Sequence, residues 1–306
     1  MRRRFVELLV VGLTGVACLT GLPAGASAPD PPTASAPVSA AAVDPLPPLP
    51  PPLGPSPSPS PKPKPSSSAQ PKPKPPPTAA PQDRWALIVG VTNYRGNVKD
   101  TVGGANDARM IRQTLLHYGW RSDRIRILTD GQATGRAVSD GISWLQRNSS
   151  SKTFSFFHYS GHVKQRDGRE FLWPVDNSYI VDTEVARVLK AVRGTAWTNI
   201  SACEGGGFNE GLAGPRHLFT ASSHVTEKSY ENPRTGFSVW SGMLFDEALL
   251  RKDADRDGDG HVTVEQAFDY AAPRAKTFTK NQRPHGPQTP ERFGGSGALR
   301  LDAPRI

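Results

Sequence analysis

Trp85-Ala86-Leu87-Ile88-Val89-Gly90-Val91 is a continuous apolar run. No polar residue alternates with the apolar ones, so neither face is written for water, and the segment predicts a strand covered on both sides. Downstream, Asn106-Asp107 open a predicted helix whose apolar residues Ala108, Ile111, Leu115 and Leu116 recur at helical spacing until Gly119 ends it. The same reading gives strands over 124–128, 153–160, 196–201 and 217–221 and helices over 136–146 and 183–192. Strands alternating with helices of this length need crossover connections, so the expected fold is α/β, a largely parallel sheet between helical layers.

Upstream of that run the composition changes. Arg2, Arg3 and Arg4 precede a mostly apolar stretch from Leu8 to Leu22, and Ala24-Gly25-Ala26 and Ala26-Ser27-Ala28 both resemble cleavage sites. Residues 1–28 therefore read as a signal peptide. Val16-Ala17-Cys18, with Gly15 where a lipoprotein box has Leu, leaves a lipid anchor at Cys18 as the alternative. Residues 29–83 are Pro, Ser, Ala and Lys with few large apolar side chains, which predicts a disordered, extended Pro-rich linker. Residues 84–306 remain for one sizeable α/β domain. The expected location is secreted or tethered to the cell envelope. Nothing after Leu22 is apolar for long enough to cross a bilayer, so no transmembrane helix is expected in the mature chain. Of the formal charge of +9, residues 1–28 carry +2 and residues 29–83 carry +1, leaving +6 on the domain; that surplus suits an anionic cell wall, and no Lys/Arg stripe interleaved with aromatics points to nucleic acid.

Of two cysteines, Cys18 falls in the export signal, so Cys203 is the one that the mature chain keeps. It has no intramolecular disulfide partner, which makes it a candidate reactive thiol. Cys203 and His162 both fall just past predicted strands, where α/β sheets gather their functional groups. A thiol of ordinary acidity needs a base to become a nucleophile, and His162 supplies one that can then protonate a leaving amine. The Cys203 amide is placed to donate to a developing oxyanion. The alternative is a buried structural thiol beside a satisfied loop histidine. His158, inside an apolar strand, reads as a packed core residue, and His217 and His224 show no zinc-ligand spacing with Cys203.

Trp85 to Val91, Gly104-Ala105-Asn106-Asp107-Ala108, Ile127-Leu128-Thr129-Asp130, Phe156-Phe157-His158-Tyr159-Ser160-Gly161-His162 and Leu172-Trp173-Pro174-Val175-Asp176 resemble the caspase/metacaspase cysteine peptidases. Ser201-Ala202-Cys203-Glu204-Gly205, Thr220-Ala221-Ser222-Ser223, Glu227-Lys228-Ser229-Tyr230 and Phe237-Ser238-Val239-Trp240 resemble the legumains. The resemblance implies a caspase-like three-layer α/β/α sandwich, an endopeptidase acting through an acyl-enzyme on a peptide or protein substrate, Cys203 as nucleophile and His162 as base. It also implies backbone oxyanion donors at Val163 and Cys203 and substrate-binding residues Ser201, Glu204, Ser222 and Ser223. Three positions depart from the pattern: Val163 replaces Gly and is expected to restrict the turn after the histidine, Ser201 replaces the metacaspase Asp, and Gly103 replaces the legumain Arg. No preference for the residue before the scissile bond is carried across. A catalytically silent calcium- and peptide-binding relative and a transpeptidase remain the alternatives.

Asp253-Ala254-Asp255-Arg256-Asp257-Gly258-Asp259-Gly260, between two apolar helical segments, looks like an EF-hand-type loop within 253–266. Asp255, Asp257 and Asp259 take the first three ligand positions, Gly260 the turn, the His261 carbonyl the next position and Gln266 the place of the usual bidentate Glu. Calcium is the expected cofactor, weakly bound because Gln is neutral; no organic cofactor is expected. Because the loop follows the helix after Trp240, calcium is expected to raise activity as well as stability. The alternative is a solvated acidic turn between two helices.

Overall fold

The structure, a computed structural model, describes residues 83–295 and 299–302. The expected signal peptide and nearly all of the expected Pro-rich linker lie outside these residues; Asp83, assigned to the linker from sequence, already belongs to the first strand. In chain order the elements are β1 (Asp83–Gly90), α1 (Gly104–His117), β2 (Ile125–Thr129), α2 (Gly135–Arg147), β3 (Thr153–Ser160), β4 (Val163–Arg166), β5 (Arg169–Leu172), β6 (Ile180–Val181), α3 (Asp182–Leu189), β7 (Thr195–Ser201), β8 (His217–Ala221), β9 (Glu231–Asn232), β10 (Phe237–Ser238), α4 (Val239–Ser241), α5 (Val264–Thr279) and β11 (Glu291–Gly294). A π-helix over Gly242–Leu250 continues α4.

The central sheet has the order β11-β8-β7-β3-β1-β2. All neighbours are parallel except β11, which closes one edge antiparallel to β8. Period-two side-chain direction explains why the β1 run is apolar throughout. Ala86 and Ile88 join Phe154, Phe156 and Trp197 in a core with α1, the π-helix and α5, whereas Leu87 and Val89 join Phe157, Tyr159 and Ile200 in a second core with α2 and α3. Both faces are therefore covered, giving the three-layer sandwich. Trp197 anchors the first core, stacked on Phe245 with ring centroids 5.4 Å apart. His158 is fully buried on the same face, with Nδ1 2.9 Å from Asn199 Nδ2, as a core residue rather than a second base.

Two features escape the sequence pattern. A three-stranded sheet of β4, β5 and β6 follows His162, and the antiparallel β11 returns to the sheet edge. Both are short and alternate weakly, so their sequence carries little periodic signal.

Candidate active site

Ser160 at the end of β3 and Ser201 at the end of β7 are register partners. His162 and Cys203 each lie two residues further on, so adjacent parallel strands bring both residues to the carboxyl edge of the sheet. Tyr94, on the loop after β1, supports the histidine. Its ring lies 4.7 Å from the imidazole, centroid to centroid, and its hydroxyl oxygen accepts the His162 backbone N–H at 2.7 Å. Burial pushes the Tyr94 phenol up to about 12, so it stays neutral. A Cβ on Gly161 would come within 2.6 Å of the Tyr94 hydroxyl oxygen, and that close approach is why glycine stands before the histidine.

The Nε2 atom of His162 lies 2.7 Å from the carbonyl oxygen of Lys99. A carbonyl can only accept, so Nε2 carries a proton, and in the neutral ring the lone pair is then on Nδ1. On the thiol side, Cys203 Sγ accepts the Ser229 N–H at 3.4 Å and lies 3.8 Å from the Ser229 carbonyl. Burial pushes the thiol up; the Ser229 N–H and Lys228 oppose that rise, and Glu204 adds to it. The resting sulfur is a neutral thiol, which could become a nucleophile only by giving its proton to a base.

The loop bearing Cys203 is clamped from below. The Ser222 hydroxyl accepts from Ala202 N and donates to Ala202 O, at 3.0 and 2.9 Å; the Ser223 hydroxyl donates to Ala202 O at 3.0 Å and accepts from Gly205 N at 3.3 Å. Both serines, expected to bind substrate, are fully buried and spend their hydroxyls on the backbone of the loop that carries Cys203. Ser201 is likewise buried, its hydroxyl 2.8 Å from that of Ser238. Glu204 adopts left-handed φ 53° and pairs with Lys228 Nζ at 2.5 Å, so its carboxylate pins the segment that covers the thiol.

Val163, expected to restrict the turn after the histidine, lies in a strand. Val163 opens β4, pairs with Leu172 and is buried in the second core, an environment that suits a β-branched side chain. Val163→Gly is expected to lower stability by about 2 kcal/mol through lost packing and added chain entropy, without raising kcat. Thermal melts and initial rates check this; an unchanged melting temperature with faster turnover would sink it. At Gly103 a Cβ would meet Ser238 N at 2.4 Å, so the legumain-type arginine has no room there.

Sequence reasoning missed Asp107. It is 0 % exposed, and its Oδ1 accepts the Ser238 N–H at 3.0 Å while Oδ2 accepts the Ser160 hydroxyl at 2.7 Å and the Ser238 hydroxyl. Burial raises this carboxyl to about 7, against the pull of those donors. It lies beneath the ends of β3 and β10 and ties them together. The signal was present: Asp107 precedes Ile111 by one helical turn, on the apolar face of α1.

The acidic loop lies elsewhere. One carboxylate oxygen from each of Asp255, Asp257 and Asp259 falls within 4.8 Å of the others. Gln266, expected as a ligand, forms a capping box with Thr263 and has its Nε2 3.3 Å from Asp257 Oδ1. The His261 ring is held by Asp302 at 2.5 Å, leaving its backbone carbonyl as the group the ligand assignment uses. Asp259, Gly260 and His261 line a cavity of about 670 Å³ together with Arg84, Tyr118 and Gly119. Arg84 is at the start of β1, so the loop sits at the amino edge of the sheet, opposite His162 and Cys203. An effect of calcium on activity would therefore have to cross the sheet from its amino edge to its carboxyl edge.

Residues 83–285 match the family described as Caspase domain. Among curated proteins, Metacaspase-1 of Lodderomyces elongisporus is 35% identical over 120 residues, covering 32% of this chain and 26% of that protein. Metacaspase-1 of Candida albicans is 33% identical over 120 residues, covering 32% and 27%. The matched stretch spans only about a quarter of the length of these relatives. Protein GSU0716 from Geobacter sulfurreducens superposes with a TM-score of 0.55 at 14% identity, covering 72% of this chain and 99% of that one, a likeness of fold alone.

Proposed function

The chain belongs to the caspase domain family, and from that premise we propose that it is a cysteine endopeptidase working through a Cys203/His162 dyad. The observation that supports the proposal is the register pairing of Ser160 with Ser201, because His162 and Cys203 each follow two residues later on adjacent parallel strands, while His162 Nε2 is engaged by the Lys99 carbonyl. In the proposed cycle, His162 Nδ1 takes the thiol proton as Sγ bonds to the scissile carbonyl carbon. The oxyanion is stabilised by backbone amides that include that of Cys203. The C–N bond then breaks and the proton passes from Nδ1 to the departing amine. Water, losing a proton to the same nitrogen, attacks the thioester and releases the acid and the thiol. The Lys99 carbonyl keeps the ring oriented throughout.

Incubating the purified protein with a peptide library and identifying the new termini tests this reading. Cleavage should require a reduced thiol. New amide products on adding an amine would point to transpeptidation, and failure of an acyl probe to label Cys203 would leave only peptide binding.

The proposal extends to location and to a metal. Residues 1–28 direct export and the segment to residue 83 tethers the domain in the envelope; N-terminal sequencing of the mature chain tests this. Among the described residues no helix is long and apolar enough to cross a membrane. Calcium binds Asp255, Asp257 and Asp259 as a structural ion, a reading supported by their convergent oxygens and by the mutual repulsion that a cation would relieve. The dissociation constant should fall near 0.1–1 mM, roughly the weak extracellular class. At a hundredfold excess, calcium should stabilise the fold by about 2.7 kcal/mol and leave kcat unchanged. Gln266→Glu places a carboxylate beside Asp257, so it should lower the melting temperature without calcium and enlarge the shift with it. Calorimetry showing no heat of binding in either protein would reduce the loop to a solvated turn.

A further inference from the structure

The chemistry of His162 defines a leaving-group side. The amine that departs takes its proton from this ring, so the chain beyond the scissile bond lies against the His162 face of the site. That face is aromatic. Trp173, which follows β5, has its ring 5.8 Å from the imidazole, and Tyr179, just before β6, lies 5.1 Å from Trp173. Lys164 on β4 holds its Nζ 5.9 Å from the Trp173 ring and 5.0 Å from the Tyr179 ring. The indole N–H donates to Asn177 Oδ1 at 2.7 Å, which fixes the Trp173 ring. Tyr179 is 41 % exposed; among the described residues only Val102 and Phe278 are other large hydrophobic side chains this open to solvent. An exposed aromatic surface continuous with a catalytic base, and held by its own hydrogen bond, is arranged as a ligand surface is arranged.

We propose that Trp173, Tyr179 and Lys164 form a subsite for the leaving-group half of the substrate, selecting an aromatic ring with an acidic residue next to it. The inference rests on the peptidase reading and adds the substrate class to it. A ring packed on Trp173 and Tyr179 gains offset or edge contacts without ordering a flexible chain. Lys164 attracts a carboxylate at that distance and repels a cation, within the screening length of physiological salt.

The test uses the full chain and a set of peptides sharing one acyl half, chosen from the library cleavage. They differ after the scissile bond: phenylalanine or alanine first, then glutamate or lysine. A methyl ester of the same acyl half has no residue there and reports acyl transfer alone. The wild type should favour phenylalanine over alanine by roughly tenfold in kcat/KM, the usual size of a single apolar contact. Tyr179→Ala should bring that ratio to about two or less, and Lys164→Glu should reverse the preference for glutamate over lysine. Both side chains are exposed, so neither change threatens the fold. Ester turnover with no ring preference in the wild type, or a preference that survives Tyr179→Ala, overturns the subsite and spares the peptidase reading. Turnover of neither ester nor peptide by the wild type overturns both.

Discussion

Cys203→Ala and His162→Ala are each expected to cut kcat/KM by at least about ten-thousand-fold, and the double variant should be no slower than either single one. The reason is mutual dependence. The thiol is pushed up by burial and rests protonated, so without the imidazole no thiolate forms; without sulfur the imidazole has nothing to activate. Both residues follow strand ends and neither belongs to a core cluster, so melting temperatures should stay within a few degrees of wild type. Alkylation of Cys203 should also accelerate as pH rises above neutrality, as a raised thiol requires. Wild-type turnover by Cys203→Ala would falsify the peptidase assignment.

The largest stability effect should come from Asp107→Ala. Removing the carboxylate leaves the Ser238 N–H and the Ser238 and Ser160 hydroxyls without their acceptor inside the protein. Each stranded buried group costs about 1–3 kcal/mol, so a loss near 4 kcal/mol is expected. Asp107→Asn keeps an acceptor and separates charge from packing. Because the folded-state pKa of Asp107 is raised to about 7, its contribution is full below pH 3.8 and is lost as pH rises through 7. His158 and His217 act in the opposite sense. Burial lowers them to about 3 and about 4, so their contributions are present above pH 6.5 and are lost as the solution is acidified. From pH 6.5 down to 4, two histidines outweigh one aspartate and these three groups together destabilise the fold. Asp107→Asn should therefore melt higher than wild type at pH 8 and lose stability more steeply on acidification. Parallel melting curves for the two proteins from pH 4 to 8 would show that Asp107 does not carry the shifted proton.

Strands and helices were legible because they are local patterns. The runs at 153–160 and 217–221 match β3 and β8 at both ends, and the helix expected over 136–146 matches α2 to within one residue. The helix expected over 183–192 ends three residues early, at Leu189, where a tight turn leads into β7.

What the sequence determined by itself is the alternation of apolar segments, hence the covered parallel sheet, and the position of His162 and Cys203 just past two of its strands. Only the tertiary structure decided who their partners are. The Lys99 carbonyl that orients His162 is a backbone atom, and any residue type could supply it. Ser229, which covers the thiol, and Ser238, which lies 131 positions from its partner Asp107, arrive through loops whose course no local periodicity encodes. The same holds for Ser222 and Ser223, polar in sequence but spent on the backbone of the nucleophile loop. It holds too for the acidic loop, which shares a cavity with Arg84 while the chain after β11 meets the same side chain through the Leu301 carbonyl. Side-chain periodicity fixes which face of an element is buried; strand order and crossovers fix what that face meets.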